Sequence, residues 1–236
     1  MIELAQSPLF GLILTIASYR MAVWIYARSG AFPLLHPFIV AAIPVIILLP
    51  LLKVDYDTYM SQTSILAFLL GPATVALAWP LYRQLRTVRS VWWPVLVTTA
   101  IGAVFAAGSA VLLAWWLGAP PDVLGSLAPK SVTTPIAIDV VNTTGGFISL
   151  AAGAVAITGI VGAMAAGPLF RLLRITDDRI RGFVLGLVAH AIGTARAFEF
   201  SERAGAFGGL ALGLCGLFTA IMLPLVWPWV SALLAR

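Results

Sequence analysis

The chain has 236 residues, 61% of them hydrophobic and only 10% charged, with a net charge of +5 and a mean hydropathy of +1.03. A soluble domain carries about 25% charged residues, so there is too little polar surface here to coat a globule in water, and lipid is the solvent this chain requires. The basic excess lies in short clusters between apolar runs rather than along one face, which excludes a nucleic-acid-binding surface and fits retention of Lys and Arg on the cytoplasmic side of a membrane.

A membrane-crossing helix needs about 20 predominantly apolar residues. Runs of that kind fall at 6–27, 34–52, 61–82, 91–117, 146–173, 180–200 and 204–234, predicting an all-α integral membrane protein with about seven transmembrane helices in a single domain, 1–236. No basic stretch of the signal-peptide kind precedes the first run, so no cleavable leader is expected. The loop from Lys53 to Tyr59 carries Asp55 and Asp57 and is expected outside. Within the third run stands Gly71-Pro72-Ala73-Thr74. Pro72 removes a backbone donor and Gly71 loosens the turn, so a kink or an unwound turn is expected, with freed carbonyls and the Thr74 hydroxyl open to a substrate or ion. A plain proline kink is the alternative reading.

Basic loops set the orientation. Arg28 follows the first run, Arg83, Arg86 and Arg89 follow the third, and Arg171, Arg174, Arg179 and Arg181 surround the end of 146–173; all three loops are expected in the cytoplasm. The loop with Glu199, Glu202 and Arg203 is expected outside, as is the N-terminus, and the C-terminus inside. For 171–181 to be cytoplasmic, the 28 residues of 118–145, broken by Pro120, Pro121, Pro129 and Pro135, must enter and leave on one side. They are too few for two spans, so a re-entrant helix–loop–helix is expected. Such backbone is tolerated at membrane depth only against protein or a water-filled cavity, which makes this segment a site candidate; a surface hairpin is the alternative.

Polar groups cluster at two further places. Pro129-Lys130-Ser131-Val132-Thr133-Thr134-Pro135 combines one ammonium, three hydroxyls and the amides of a helix start, a combination suited to a small carboxylate. His190-Ala191-Ile192-Gly193-Thr194-Ala195-Arg196 lies inside an apolar run, where ionisable groups are costly and usually functional. His190 is the better proton carrier, since its ordinary pKa lies near 6.5, whereas Arg196 has the spacing to pair with Glu199. Cys215 is the only cysteine, and His36 and His190 are the only histidines, so neither a disulfide within the chain nor a metal site is expected. No P-loop, dinucleotide fingerprint or nucleophile elbow occurs, so neither an enzyme nor an ATP-driven pump is expected, and no cofactor. Gly159, Ala163 and Gly167, and again Gly205, Gly209 and Gly213, have the spacing of close helix packing, with a homodimer contact as one use. A faint internal repeat joins PLYRQLR from Pro80 with PLFRLLR from Pro168.

The runs LLGPATVALA from Leu69, PKSVTTPIA from Pro129 and HAIGTA from His190 resemble the signature segments of the LrgB/CidB family, a resemblance that extends from about residue 30 to the C-terminus. It implies one of two functions. Bacterial members were named antiholin-like or holin-like proteins that modulate murein hydrolase export and lysis. The related plastidal glycolate/glycerate translocator of plants moves small hydroxy acids, and bacterial members are linked to pyruvate uptake. A partner from the LrgA/CidA family is implied either way. Two positions depart from the family pattern, His36 where Asn is usual and Arg196 where Lys is usual; the second favours bidentate carboxylate binding. The expectation is a bacterial inner-membrane transporter for glycolate, glycerate, pyruvate or lactate. Lys130, Ser131, Thr133, Thr134, Thr74, Thr194 and Arg196 would bind substrate. His190, His36 and Glu199 would couple a proton or ion, and Gly71, Pro72, Pro129, Pro135 and Gly193 would break the helices.

Overall fold

The structure, a computed structural model, describes residues 7–30, 32, 35–76 and 78–234, except the side chains of Leu70, Ala73, Thr74, Ala78, Pro80 and Leu81. All regular structure among these residues is helical, and the chain forms two compact units, Met1–Ala76 and Leu77–Arg236.

The first unit holds α1 (Phe10–Arg28), α2 (Pro37–Leu51), α3 (Tyr56–Gln62) and α4 (Ser64–Ala76). Pro37 occupies the first turn of α2, where its missing N–H costs nothing, and the His36 Nδ1 accepts from the Phe38 N–H at 3.4 Å. Asp55 caps α3 by accepting from the Thr58 N–H at 2.7 Å. The buried Gln62 carbonyl accepts from the Gly11 N–H at 2.9 Å, and a Cβ on Gly11 would stand 2.8 Å from that same oxygen. Helix α4 is continuous through Gly71 and Pro72, so the unwound turn expected there is not formed. Neighbouring carbonyls of an apolar helix have no better partners at membrane depth than the ladder itself.

The second unit begins with the short helices α5 (Ala78–Arg83) and α6 (Leu85–Ser90), followed by α7 (Trp92–Trp116). Next come α8 (Pro121–Leu127) and α9 (Thr134–Thr144), then α10 (Ile148–Leu172), α11 (Asp178–Phe200) and α12 (Glu202–Leu234). Helices α8 and α9 fold against each other around the turn 128–133. The exit of α9 packs against α8: the Ser126 hydroxyl accepts from the Phe147 N–H at 2.7 Å, and a Cβ on Gly146 would lie 2.6 Å from that hydroxyl and 3.0 Å from the Asp122 carbonyl oxygen. Only glycine lets the chain leave α9 so close to α8. The segment therefore ends against its own first leg, and neither leg has the length of a membrane span.

A second fold-back lies inside α11. Five helices of the described residues are long and apolar enough to cross a membrane, and Asp178–Phe200 is among them. Its backbone nevertheless leaves helical geometry at Ala189 and His190, the latter with φ 41° and ψ −128°. The two halves then run back to back. A Cβ on Gly193 would stand 2.1 Å from the Leu185 carbonyl oxygen, eight residues earlier, and the Ser201 hydroxyl donates to Asp178 Oδ2 at 2.8 Å. In a straight helix those last two residues would be about 34 Å apart. Helix α12 packs on both legs: Cβ atoms on Gly182 and Gly186 of the first would lie 1.9 and 2.0 Å from the carbonyl oxygens of Ala204 and Gly208, and a Cβ on Gly208 would lie 3.4 Å from Thr194 Cα and Ala197 Cβ of the second. The expected helix break at Gly193 thus falls at residues 189–190, and Gly193 instead permits the close approach of the two legs.

This fold-back corrects the expected topology. Arg83 pairs with Glu202 at 2.7 Å, Phe200 stacks edge-on against Phe170, and Arg203 acts electrostatically on Asp177. The loop with Glu199, Glu202 and Arg203 therefore sits at the same end of the unit as the 171–181 loop, not at the opposite end. Helix α12 then runs to the far end, where the Trp115 Nε1–H donates to the Leu234 carbonyl at 3.2 Å. The C-terminus consequently lies opposite the 171–181 loop rather than on its side. The described residues also do not supply seven full-length spans: α2 has 15 residues, α4 has 13, and α11 doubles back.

Candidate functional site

The turns of the two fold-backs point toward each other from opposite ends of the second unit. One carries Pro129-Lys130-Ser131, the other Ala189-His190. Val132 from the first turn and Leu187 from just before the second share a buried cluster with Val155 of α10 and Phe207, Ala211 and Cys215 of α12. Val155 is about 25 Å of helix from Leu172, and Cys215 about 20 Å from Glu202, so the turns meet in the middle of the helix stack.

His190 is buried, and its Nε2–H donates to the Val155 carbonyl at 2.9 Å, which leaves Nδ1 as the nitrogen able to take a further proton. Its imidazole lies against Gly159, where a Cβ would stand 2.7 Å from Cε1. The His190 carbonyl, at the start of the second leg, accepts from the Thr194 hydroxyl at 2.9 Å. Cys215 donates to the Leu187 carbonyl across 3.7 Å.

Lys130 is half-buried in the opposing turn, with its ammonium 3.4 Å from the Ser131 hydroxyl and within electrostatic reach of His190. Ser131 is buried and Pro129 fully so. Thr133 takes the N-cap position of α9 but makes no side-chain capping bond, and Pro135 follows in the first turn. The first amides of α9 are therefore left uncapped beside a lysine and two threonines. Helix starts of this kind favour negative charge.

The other expected site residues fall elsewhere. Arg196 ion-pairs with Glu199 and its guanidinium lies 5.3 Å from the centre of the Phe200 ring, toward the Ser201 end of its leg. This geometry directs it away from the turn at His190. His36 caps α2 and meets the Tyr26 ring edge-on at 5.8 Å. Gly71 and Pro72 lie within α4, and the Thr74 side chain is outside the described residues. A cleft of about 310 Å³ opens beside Val91, Val95, Phe183 and Phe207, at the 171–181 end. Its lining is apolar apart from Thr98, Asp177 and Arg179, so it offers a carboxylate far less than the paired turns do. The fold-back at His190 was hard to see because Ala189 and His190 are neither glycine nor proline. The available signal was charge: Arg196 and Arg203 stand with the basic loops once the leg returns.

The architecture defines a multi-pass α-helical membrane protein built around two broken-helix hairpins. A family model described as "LrgB-like family" matches residues 15–229, and the chain belongs to that family. An uncharacterized protein of Haemophilus influenzae is 33% identical over 214 residues, covering 91% of this chain and 92% of that protein. Proteins named antiholin-like protein LrgB from Bacillus mycoides and Bacillus cereus are each 27% identical over 227 residues, covering 96% of this chain and 98% of theirs. No solved structure matches.

Proposed function

We propose that this chain is a secondary transporter of small monocarboxylates and 2-hydroxy acids, of the glycolate, glycerate, pyruvate and lactate class, across the bacterial inner membrane. One observation carries the reading: two hairpins of opposite direction bring the turn that carries Lys130 and the turn at His190 to one buried cluster, through Val132 and Leu187. Broken helices meeting near mid-membrane are the usual seat of substrate in secondary transporters. In this reading α8–α9 and α11 are re-entrant, inserted from opposite faces. Lys130 neutralises the carboxylate, the amides of α9 and the hydroxyls of Ser131, Thr133 and Thr134 bond its oxygens, and His190 carries a coupled proton on Nδ1. Arg196 and Glu199 serve as a structural ion pair. With the arginine-rich loops in the cytoplasm, the C-terminus is outside.

Proteoliposomes holding this chain alone should accumulate labelled glycolate or pyruvate. Lys130→Ala should reduce uptake at least tenfold, while Arg196→Ala should leave more than half. Equal uptake by parent and Lys130→Ala would overturn the site.

A second reading has its own support, the antiholin-like name of the Bacillus relatives. In it the chain modulates murein hydrolase activity and lysis with an LrgA/CidA-type membrane partner, through assembly rather than flux. That reading predicts no uptake with or without the partner, and lysis phenotypes that Lys130→Ala leaves unchanged.

A further inference from the structure

Helix α9 is amphipathic in a way no membrane-buried leg should be. Ala137, Val140, Val141 and Thr144 are buried on one face. Asp139, Asn142 and Thr143 are exposed on the other, within about one third of the helix circumference at 100° per residue. Asp139 makes no ion pair or hydrogen bond through its side chain among the described residues, and it sits midway along the 11-residue leg. The Thr143 hydroxyl is turned inward onto the Val140 carbonyl at 2.7 Å, the bond a hydroxyl makes when its helix is its only close partner. A carboxylate halfway along a re-entrant leg is costly against lipid, and a carboxylate, an amide and a hydroxyl on a single face make that cost cumulative. The same leg begins at the Lys130 turn and ends at Gly145, at the Trp116 end of the unit.

We propose that the Asp139–Asn142–Thr143 face of α9 lines a water-filled vestibule, open at the Trp116 end, along which a small hydrophilic solute reaches Lys130. The inference extends the transport reading and takes its occupant from it. Asp139 holds the vestibule hydrated and draws a cation in beside the anion, so that solute enters without building up net charge.

Single cysteines at 139, 142 and 143 test it in the full chain in lipid vesicles, since the natural Cys215 is buried at 1% exposure. Asp139→Cys, Asn142→Cys and Thr143→Cys should each react with a membrane-impermeant sulfonated thiol reagent at least tenfold faster than Cys215. Reaction only with a lipid-soluble maleimide would place the face against lipid and overturn the proposal. Protection from both reagents until detergent denaturation would place it against protein and overturn it equally. Because labelling requires no uptake, labelled cysteines without transport would sink the transport reading and leave the vestibule standing. Transport with unlabelled cysteines would do the reverse.

Discussion

His190 occupies backbone space that glycine prefers. At φ 41° and ψ −128° a side chain costs about 1–3 kcal/mol of strain, which persists only where the surroundings hold it. Here the bond to the Val155 carbonyl and the imidazole packed on Gly159 hold it. Two consequences follow for substitutions. In an intact helix alanine is more stable than glycine by about 1 kcal/mol. At position 190 the order should reverse, with His190→Gly unfolding at a higher temperature than His190→Ala in detergent, and both inactive in uptake. The ordinary order would mean that α11 runs straight. Gly159→Leu, which drives a side chain into the imidazole, should abolish uptake while leaving the protein helical by circular dichroism. Of the two turns, only the one at Lys130 was legible in the sequence, because Pro129 and Pro135 bracket it and prolines announce where ladders end. The turn at His190 is made by tertiary contacts that no local pattern encodes.

Among the helices, glycine separates packing from propensity. Gly182 and Gly186 let α12 approach α11 backbone to backbone, and the atoms a Cβ would meet are main-chain carbonyls that have nowhere to go. Overpacking of this kind costs about 1–3 kcal/mol, so Gly182→Ala and Gly186→Ala should each lower the thermal midpoint. Gly153→Ala and Gly213→Ala meet nothing within 4 Å and should hold or raise it. The repeats of small residues were readable as packing signals, yet which of them pack was not: Gly159 and Gly205 are in tight contact, whereas Gly167 and Gly213 are open. The PLYRQLR and PLFRLLR match proved to join the six-residue α5 to the end of the 25-residue α10, elements of different size. At the start of α11, Asp177 accepts from the Arg179 guanidinium and from its backbone N–H at 2.8 Å, which together hold its carboxyl down at about 2. A carboxyl depressed in the fold contributes stability that is complete above its unfolded value of about 3.9 and is lost as the pH falls through about 2. Asp177→Asn should therefore destabilise the protein at pH 6, and the difference from the parent should shrink steadily below pH 4 in thermal scans.

At the scale of the molecule, the second unit contains one motif twice, in opposite directions. A hairpin that opens beside Trp116 is followed by α10, which runs to the arginine-rich end. A hairpin that opens at the arginine-rich end is followed by α12, which runs back to Trp115. Hydropathy found the five long apolar helices among seven expected runs and still miscounted crossings, because 23 residues suffice either for one span or for two legs reaching half-way. The first hairpin was expected because charge retention calls for the arginines of 171–181 on the same side as the other basic loops. The second was not expected: a single crossing at 180–200 left Arg196 and Arg203 outside, and that charge signal was outweighed by a run long and apolar enough for one full span. The structure removes that crossing by placing Ser201 on Asp178. The corresponding measurement is sidedness. In right-side-out vesicles, Leu173→Cys and Arg203→Cys should both resist an impermeant thiol reagent until the membrane is opened, whereas Leu117→Cys should react at once. Leu173 and Leu117 are 64% and 78% exposed, so accessibility there reports the side of the membrane rather than burial. If Leu173→Cys and Arg203→Cys label from opposite sides, α11 crosses the bilayer, the inverted pair does not exist, and His190 has no opposing turn to meet.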